Sequence, residues 1–310
     1  MIVTVTPNTA VDKTYVVEGF HPQAIHKPCV TLTTAGGKGV NVARVCAILG
    51  CEVIATGFVG GHTGDFIVGE LQRAGVLPDF VRVAGETRTC VEIVDPEQGV
   101  HAKVNEPGPH ITAAEAAHLE RKVSGWLGRA QVVVLAGGGP PGTPTDLYAR
   151  LIARVRAAGV RVILDASGEL LRHGVAAGPF LVKPNREELA ELMGTEVDSI
   201  DDAATGARAL LQSGVATVVV SLGAEGAVLA HGTELLYAEP PPIELVSTVG
   251  SGDCLVSGLA LGMVRGLPPE MLLRWGVAAG TANAAVLGPG LCTRAEIEAL
   301  VAKVKVSSLR

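Results

Sequence analysis

Aromatic side chains are scarce: two Trp, three Tyr and five Phe make up 3% of a 310-residue chain. With 48% of the residues hydrophobic, the core must be built from Val, Leu, Ile and Ala, the composition of buried parallel strands covered by helices. An excess of positive charge is missing too. The formal net charge is −6, whereas a general nucleic-acid binder is basic, so any anionic ligand has to be met by cations gathered locally. The six cysteines include no C-x-x-C pair and no metal-like spacing with His, which argues for free thiols in a reducing compartment. No run reaches the roughly 18 apolar residues of a membrane span. The start, Met1 to Pro7, lacks the charged and long apolar regions of a signal peptide. A cytoplasmic location is the expectation, with no membrane and no nucleic acid as partner.

What is present is an alternation. Short β-branched runs, Ile2–Thr6, Val53–Phe58, Val132–Ala136, Val160–Asp165, Phe180–Lys183 and Thr217–Leu222, are separated by amphipathic stretches such as Ala114–Leu127, Asp146–Ala158 and Ala203–Ser213. Thr112 with Glu115, and Thr293 with Glu296, have the spacing of a capping box at a helix start. This rhythm predicts an α/β fold: a mostly parallel sheet with helices on both faces. Two stretches break it. Residues 12–34 and 88–105 read as four strands, Thr14–Val17, Val30–Thr34, Thr89–Val94 and Val100–Val104, without helix signals. They predict a small β-sheet lid over the carboxyl ends of the main strands, where α/β sheets bind ligands. The division expected is a core of residues 1–11, 35–87 and 106–310, with 12–34 and 88–105 as the discontinuous lid.

Three glycine-rich turns lie in or beside this frame. Ala35-Gly36-Gly37-Lys38-Gly39-Val40-Asn41-Val42-Ala43 opens a helical pattern, and a glycine-rich helix start exposes backbone N–H groups and a dipole that favour anions. It is neither a Walker A loop nor a dinucleotide fingerprint. Ser247-Thr248-Val249-Gly250-Ser251-Gly252-Asp253-Cys254 precedes a second apolar helix. Asp253 can be a plain helix N-cap. Beside an anion hole it can also be the base that takes a proton from an acceptor hydroxyl in phosphoryl transfer. The third turn, Gly137-Gly138-Gly139-Pro140-Pro141-Gly142, follows a predicted strand and lies on the binding edge.

Gly36 to Ala43 and Thr248 to Asp253 resemble the two signatures of the phosphofructokinase B family of ribokinase-like sugar kinases; the second usually has Ala where Ser251 stands. Asp12, Thr87-Arg88, Lys183-Pro184-Asn185-x-x-Glu188, Ser221-Leu222-Gly223-x-x-Gly226 and Asn283 follow in the family's order. The resemblance covers nearly the whole chain and implies a three-layer αβα sandwich of ribokinase type. It implies that Asp253 is the catalytic base, with the amides of Gly250, Ser251 and Gly252 as the anion hole. It places Lys183, Asn185, Ser221, Gly223, Gly226 and Asn283 around ATP, and Glu188 with Asn185 near Mg²⁺, through water. Asp12, Gly37, Lys38 and Asn41 would hold the sugar.

Thr4 to Asp12, His62 to Ile67 and Asn105 to Pro109 are most similar to the kinases of phosphorylated ketohexoses. Fructose 1-phosphate is the first expectation and tagatose 6-phosphate or fructose 6-phosphate the next. A free-sugar or nucleoside kinase and a non-catalytic sugar-phosphate or nucleotide sensor are the remaining alternatives. Lys27, Lys38, Arg88 and Lys103 are the cations gathered near the lid for a sugar phosphate. Cys90 departs from the Asn that many members of this group carry near the arginine. Apolar Val16, Val17, Val91 and Ile93 exceed what a lone small sheet can bury, so a homodimer through paired lids is expected.

Overall fold

The computed structural model describes residues 1–309. The chain opens with β1 (Ile2–Thr6), β2 (Ala10–Val16) and β3 (Val30–Gly36), then α1 (Lys38–Ile48), β4 (Val53–Val59) and α2 (Gly61–Arg73). Two short strands, β5 (Leu77–Pro78) and β6 (Val81–Arg82), lead to β7 (Arg88–Asp95) and β8 (Val100–Asn105). The alternation then sets in with α3 (Ala113–Trp126), β9 (Val132–Ala136), α4 (Leu147–Ala157), β10 (Arg161–Asp165), α5 (Gly168–Ala176) and β11 (Leu181–Val182). It continues through α6 (Arg186–Met193), α7 (Ile200–Gln212), β12 (Thr217–Ser221), β13 (Ala227–His231) and β14 (Glu234–Glu239). The chain finishes with α8 (Ser251–Val264), α9 (Pro269–Ala284), α10 (Arg294–Val301) and β15 (Lys305–Ser308).

The main sheet runs β15-β14-β13-β12-β11-β10-β9-β1-β4-β5, with β6 also on β4. It is parallel from β12 through β5 and antiparallel where β13, β14 and β15 extend one edge. β1, β4 and β9 are buried along their whole length, because helices cover both faces. Val3, Val133, Leu164 and Val218 point into one apolar layer, and Ile2, Val134, Ile163 and Val219 into the other. Two features were not expected. The antiparallel edge escaped because its strands interrupt the strand–helix rhythm. The strand anticipated over 180–183 pairs only at Leu181 and Val182, since Pro184 has no N–H to extend the ladder. No helix among the described residues is long and apolar enough to cross a membrane.

The four-stranded second sheet runs β3-β2-β7-β8 and reaches two residues further than 12–34, because Ala10 pairs with Gly36 and Val11 with Ala35. Register fixes its faces. Asp12 pairs with Cys90 and Thr14 with Glu92, and Glu92 pairs with Lys103, so these polar residues share one face. Val91 pairs with Val104 and Ile93 with Ala102 on the other.

Candidate active site

Asp253 lies in the first turn of α8 and is buried there. It is not the N-cap: that position belongs to Gly250, in the left-handed region at φ 81°, with no side chain capping the helix. A Cβ on Gly250 would meet Pro289 at 2.6 Å, so only glycine lets the turn pack here. The Ser251 amide closes the turn by donating to Thr248 O at 3.2 Å, while no carbonyl takes the Gly252 or Asp253 amides among the described residues. Of the three amides expected to form an anion hole, Ser251's is thus taken, while those of Gly250 and Gly252, with Asp253's, stay free among the described residues at the positive end of the helix.

The Asp253 carboxylate accepts a hydrogen bond from Asn41 Nδ2 at 2.8 Å. Burial, reinforced by the negative charge of Asp165, pushes Asp253 up to about 7; Lys38, the Asn41 bond and Lys183 pull the other way. A carboxyl group poised there is suited to accept a proton near neutral pH.

Asp165, at the carboxyl end of β10, is a charged residue of the cleft that the motifs did not reveal. Its Oδ1 takes Lys38 Nζ at 3.0 Å and Lys183 Nζ at 3.3 Å, and its Oδ2 is buried without a partner. Burial opposes its charge, but the two lysines hold the carboxyl below its ordinary range. Lys38 in turn loses ground to burial but is held above its ordinary value by Asp165, Glu188 and Asp253. The signal available in sequence was an acid ending an apolar strand on the binding edge.

These groups line one cleft of about 830 Å³ with Asn185, Ser221, Gly223, Gly226 and the α8 turn. Pro240-Pro241-Pro242, Ile243, Leu245, Val277 and Ala284 give it an apolar lining as well. Asn185 caps α6: its Oδ1 accepts from Glu188 N at 2.7 Å and Glu188 Oε2 accepts from Asn185 N at 2.9 Å. The N-x-x-E segment is thus a capping box, with Glu188 Oε1 left facing Lys38 Nζ at 3.6 Å. Asn283 is placed differently from the expectation. It is fully buried, donates to Val249 O at 2.8 Å and Ser251 Oγ at 3.2 Å, and accepts from Gly290 N at 2.7 Å. It braces the α8 turn from behind rather than lining the cleft.

The remaining predicted residues lie in and around the second sheet, none of them among the residues that line this cleft. Asp12 sits where β2 leaves the core, and Gly36 makes room for it, since a Cβ there would fall 2.0 Å from Asp12 Oδ2. Burial raises Asp12 to about 6, against the pull of Arg88, Arg44 and Lys103. Arg88 donates to Asn8 O and Glu106 O, each at 3.2 Å. Lys103 Nζ is 3.6 Å from Glu92 Oε1. Gly37 caps α1, directly before Lys38. Lys27 stands apart, exposed on the loop between β2 and β3, and is not brought to the cleft.

Comparison with known proteins agrees with this geometry. Residues 5–296 match the family described as pfkB family carbohydrate kinase. A 1-phosphofructokinase of Rhodobacter capsulatus is 38% identical over 312 residues, covering 99% of this chain and 98% of the relative. Phosphofructokinase-2 of Escherichia coli, solved in complex with substrates and products, superposes with a TM-score of 0.92 at 32% identity, over 97% of this chain and 98% of that one. An inhibited form of the same enzyme is tetrameric. Arabidopsis thaliana ribokinase, complexed with ribose and ATP, superposes with a TM-score of 0.78 at 25% identity, over 97% and 98% of the two chains. With a sheet of the ribokinase type, a separate four-stranded sheet and both glycine signatures in place, the chain belongs to the pfkB family of carbohydrate kinases.

Proposed function

We propose that the protein transfers the γ-phosphoryl of ATP to a hydroxyl of a ketohexose phosphate, fructose 1-phosphate first, giving fructose 1,6-bisphosphate. The observation that carries this reading is Asp253: a buried carboxyl pushed up to about 7, lining the cleft beside free amides at the start of α8 and bonded to Asn41. ATP lies with its base against the proline-rich wall and its phosphates toward Lys183 and the α8 turn. The acceptor hydroxyl donates to Asp253, which removes its proton as the new P–O bond forms and the bond from the γ-phosphorus to the β–γ bridging oxygen breaks, with ADP as the leaving group; the Gly252 and Asp253 amides hold the equatorial oxygens, and Lys38 stands beside them. Asp165, whose Oδ2 has no partner among the described residues, and Glu188 are the acids that would hold Mg²⁺, through water. No group of three or more His, Cys, Asp or Glu among the described residues forms a cage of its own. When bound, the ion neutralises charge on the ATP phosphates.

Arg88 and Lys103, both near enough to Asp12 to act on its charge, are the cations for the existing phosphate. A panel of ketohexose phosphates and free sugars with MgATP, ranked by kcat/KM, tests the substrate: fructose 1-phosphate should lead, and a free sugar in that place would overturn the reading. Arg88→Ala should raise KM for the sugar phosphate by about 10- to 100-fold while leaving KM for ATP within about threefold, because a charge-assisted contact is lost at one substrate only. Equal changes in both KM values would remove Arg88 from the phosphate site.

The outer face of the lid carries Val91, Ile93, Ala102 and Val104, the last 65% exposed. Two such faces burying each other give a homodimer. Val104→Glu should then convert the dimer to monomer in light scattering at micromolar concentration; a wild-type monomer there would contradict the dimer. The six cysteines are all free, in keeping with a cytoplasmic enzyme.

A further inference from the structure

Arg44, on α1, is buried at 8% exposure and makes no ion pair among the described residues. Its guanidinium is spent on neutral oxygens: Nη1 donates to Asn41 Oδ1 at 3.1 Å and to Pro289 O at 3.0 Å, and Nη2 donates to Ala35 O. A buried cation that forgoes a carboxylate is costly, so what its bonds hold in place is informative.

Each bond ends one step from the chemistry. Asn41 gives its other amide atom, Nδ2, to Asp253 Oδ2. An amide can turn either way, and with Oδ1 toward Asp253 two acceptors would face each other. The Arg44 donor excludes that orientation. Pro289 packs on Gly250, and its neighbour Gly290 donates to Asn283, which holds Val249 O and Ser251 Oγ. Ala35 precedes Gly36, the residue against which Asp12 rests.

We infer that Arg44 is a positioning residue for phosphoryl transfer: it fixes the Asn41 amide so that Asp253 faces the acceptor hydroxyl, and it ties the 289–290 segment to the anion-hole turn. The inference rests on Asp253 being the base. The charged and titratable groups near Asp253 are Asp165 from β10, Lys38 from α1, Lys183 from the end of β11 and its neighbour Cys254 on α8, with the Asn41 amide; Arg44 stands behind Asn41 and also feels the Asp253 charge.

Arg44→Lys and Arg44→Gln test it. Lysine keeps the charge but cannot reach Asn41, Pro289 and Ala35 together. With MgATP and fructose 1-phosphate, kcat should fall by roughly 10²-fold, the size of loss a small misplacement causes. KM for both substrates should stay within about threefold. The acid limb of kcat/KM should move up by roughly half to one pH unit, because a freed Asn41 amide no longer favours the ionised carboxylate. In an Asn41→Ala background, Arg44→Lys should cost less than about twofold more in kcat, since both changes cut the same link. Unchanged kcat, losses that multiply in the two backgrounds, or failure of both Arg44 variants to show a cooperative thermal transition would each overturn the role. An Asp253→Asn variant that keeps turnover would instead overturn the base. An inactive Asp253→Asn beside a fully active Arg44→Lys would remove the positioning role alone.

Discussion

Asp253→Asn should lower kcat by about 10²- to 10⁴-fold, the contribution of a positioned general base, while KM for ATP stays within about threefold. The carboxylate's one side-chain bond is to Asn41 Nδ2, and the carbonyl oxygen of the substituted amide can accept it, so the fold loses little. The wild-type acid limb of kcat/KM should fall near pH 7, because only the ionised carboxylate accepts the proton and burial with Asp165 pushes it up to about 7. Asp12, raised to about 6, titrates just below and should steepen that limb. Stability should move the opposite way. A carboxyl whose folded pKa lies above its unfolded value of 3.8 stabilises fully below that value and ceases to do so as pH rises through 7. Asp253→Asn should therefore be the more stable protein at pH 8, by at most on the order of 4 kcal/mol, with the gap opening between pH 4 and 7. Thermal melts across that range check it. Near-normal turnover, or a gap that does not widen with pH, would remove Asp253 as the strained base.

The two properties conflict because the site keeps a charge where the core would exclude it. That conflict is part of why Asp253 stood out in the sequence as a candidate base. Two glycines before an acid at a helix start are a poor way to cap a helix, and Gly250 takes the cap itself. The lid was legible for a related reason. Its strands are β-branched stretches outside the strand–helix rhythm, and polar Asp12 and Glu92 alternate with apolar Val91 and Ile93 as a one-sided sheet requires. What stayed hidden was long-range. Lys38 and Asp165 are 127 positions apart and Asn41 and Asp253 are 212, and no local pattern encodes such pairs. The N-x-x-E segment serves the fold as well, because the spacing that resembles a metal motif also builds a capping box. Asn283 and Lys27 carried the right chemistry, yet helix phase turned one behind the α8 turn and a long exposed loop took the other away.

Asp165→Asn should give the second large effect, with a different signature. Lys183 is 3% exposed, and its ion pair is with Asp165 alone; Lys38 keeps only Glu188, at 3.6 Å. Removing one member of a buried charge cluster and leaving the others unpaired costs about 3–5 kcal/mol, so the melting temperature should drop clearly at neutral pH. The wild-type stabilisation itself depends on ionised Asp165. Its folded pKa is lowered by the two lysines, so the contribution is present above the unfolded value of 3.8 and fades as pH falls through the folded one. Half-saturating Mg²⁺ should rise by about 10- to 100-fold with the loss of the free Oδ2. The pH profile discriminates most sharply. The charge of Asp165 is what raises Asp253 after burial itself, and Lys38 and Lys183 pull it down. With the anion gone and both cations left, Asp253 must titrate lower and the acid limb must move below 7. Disturbing Arg44 should move that limb up, so the two variants shift it in opposite directions from a common centre. A limb that stays in place in Asp165→Asn, or moves upward, would show that Asp165 and Asp253 do not share one electrostatic site.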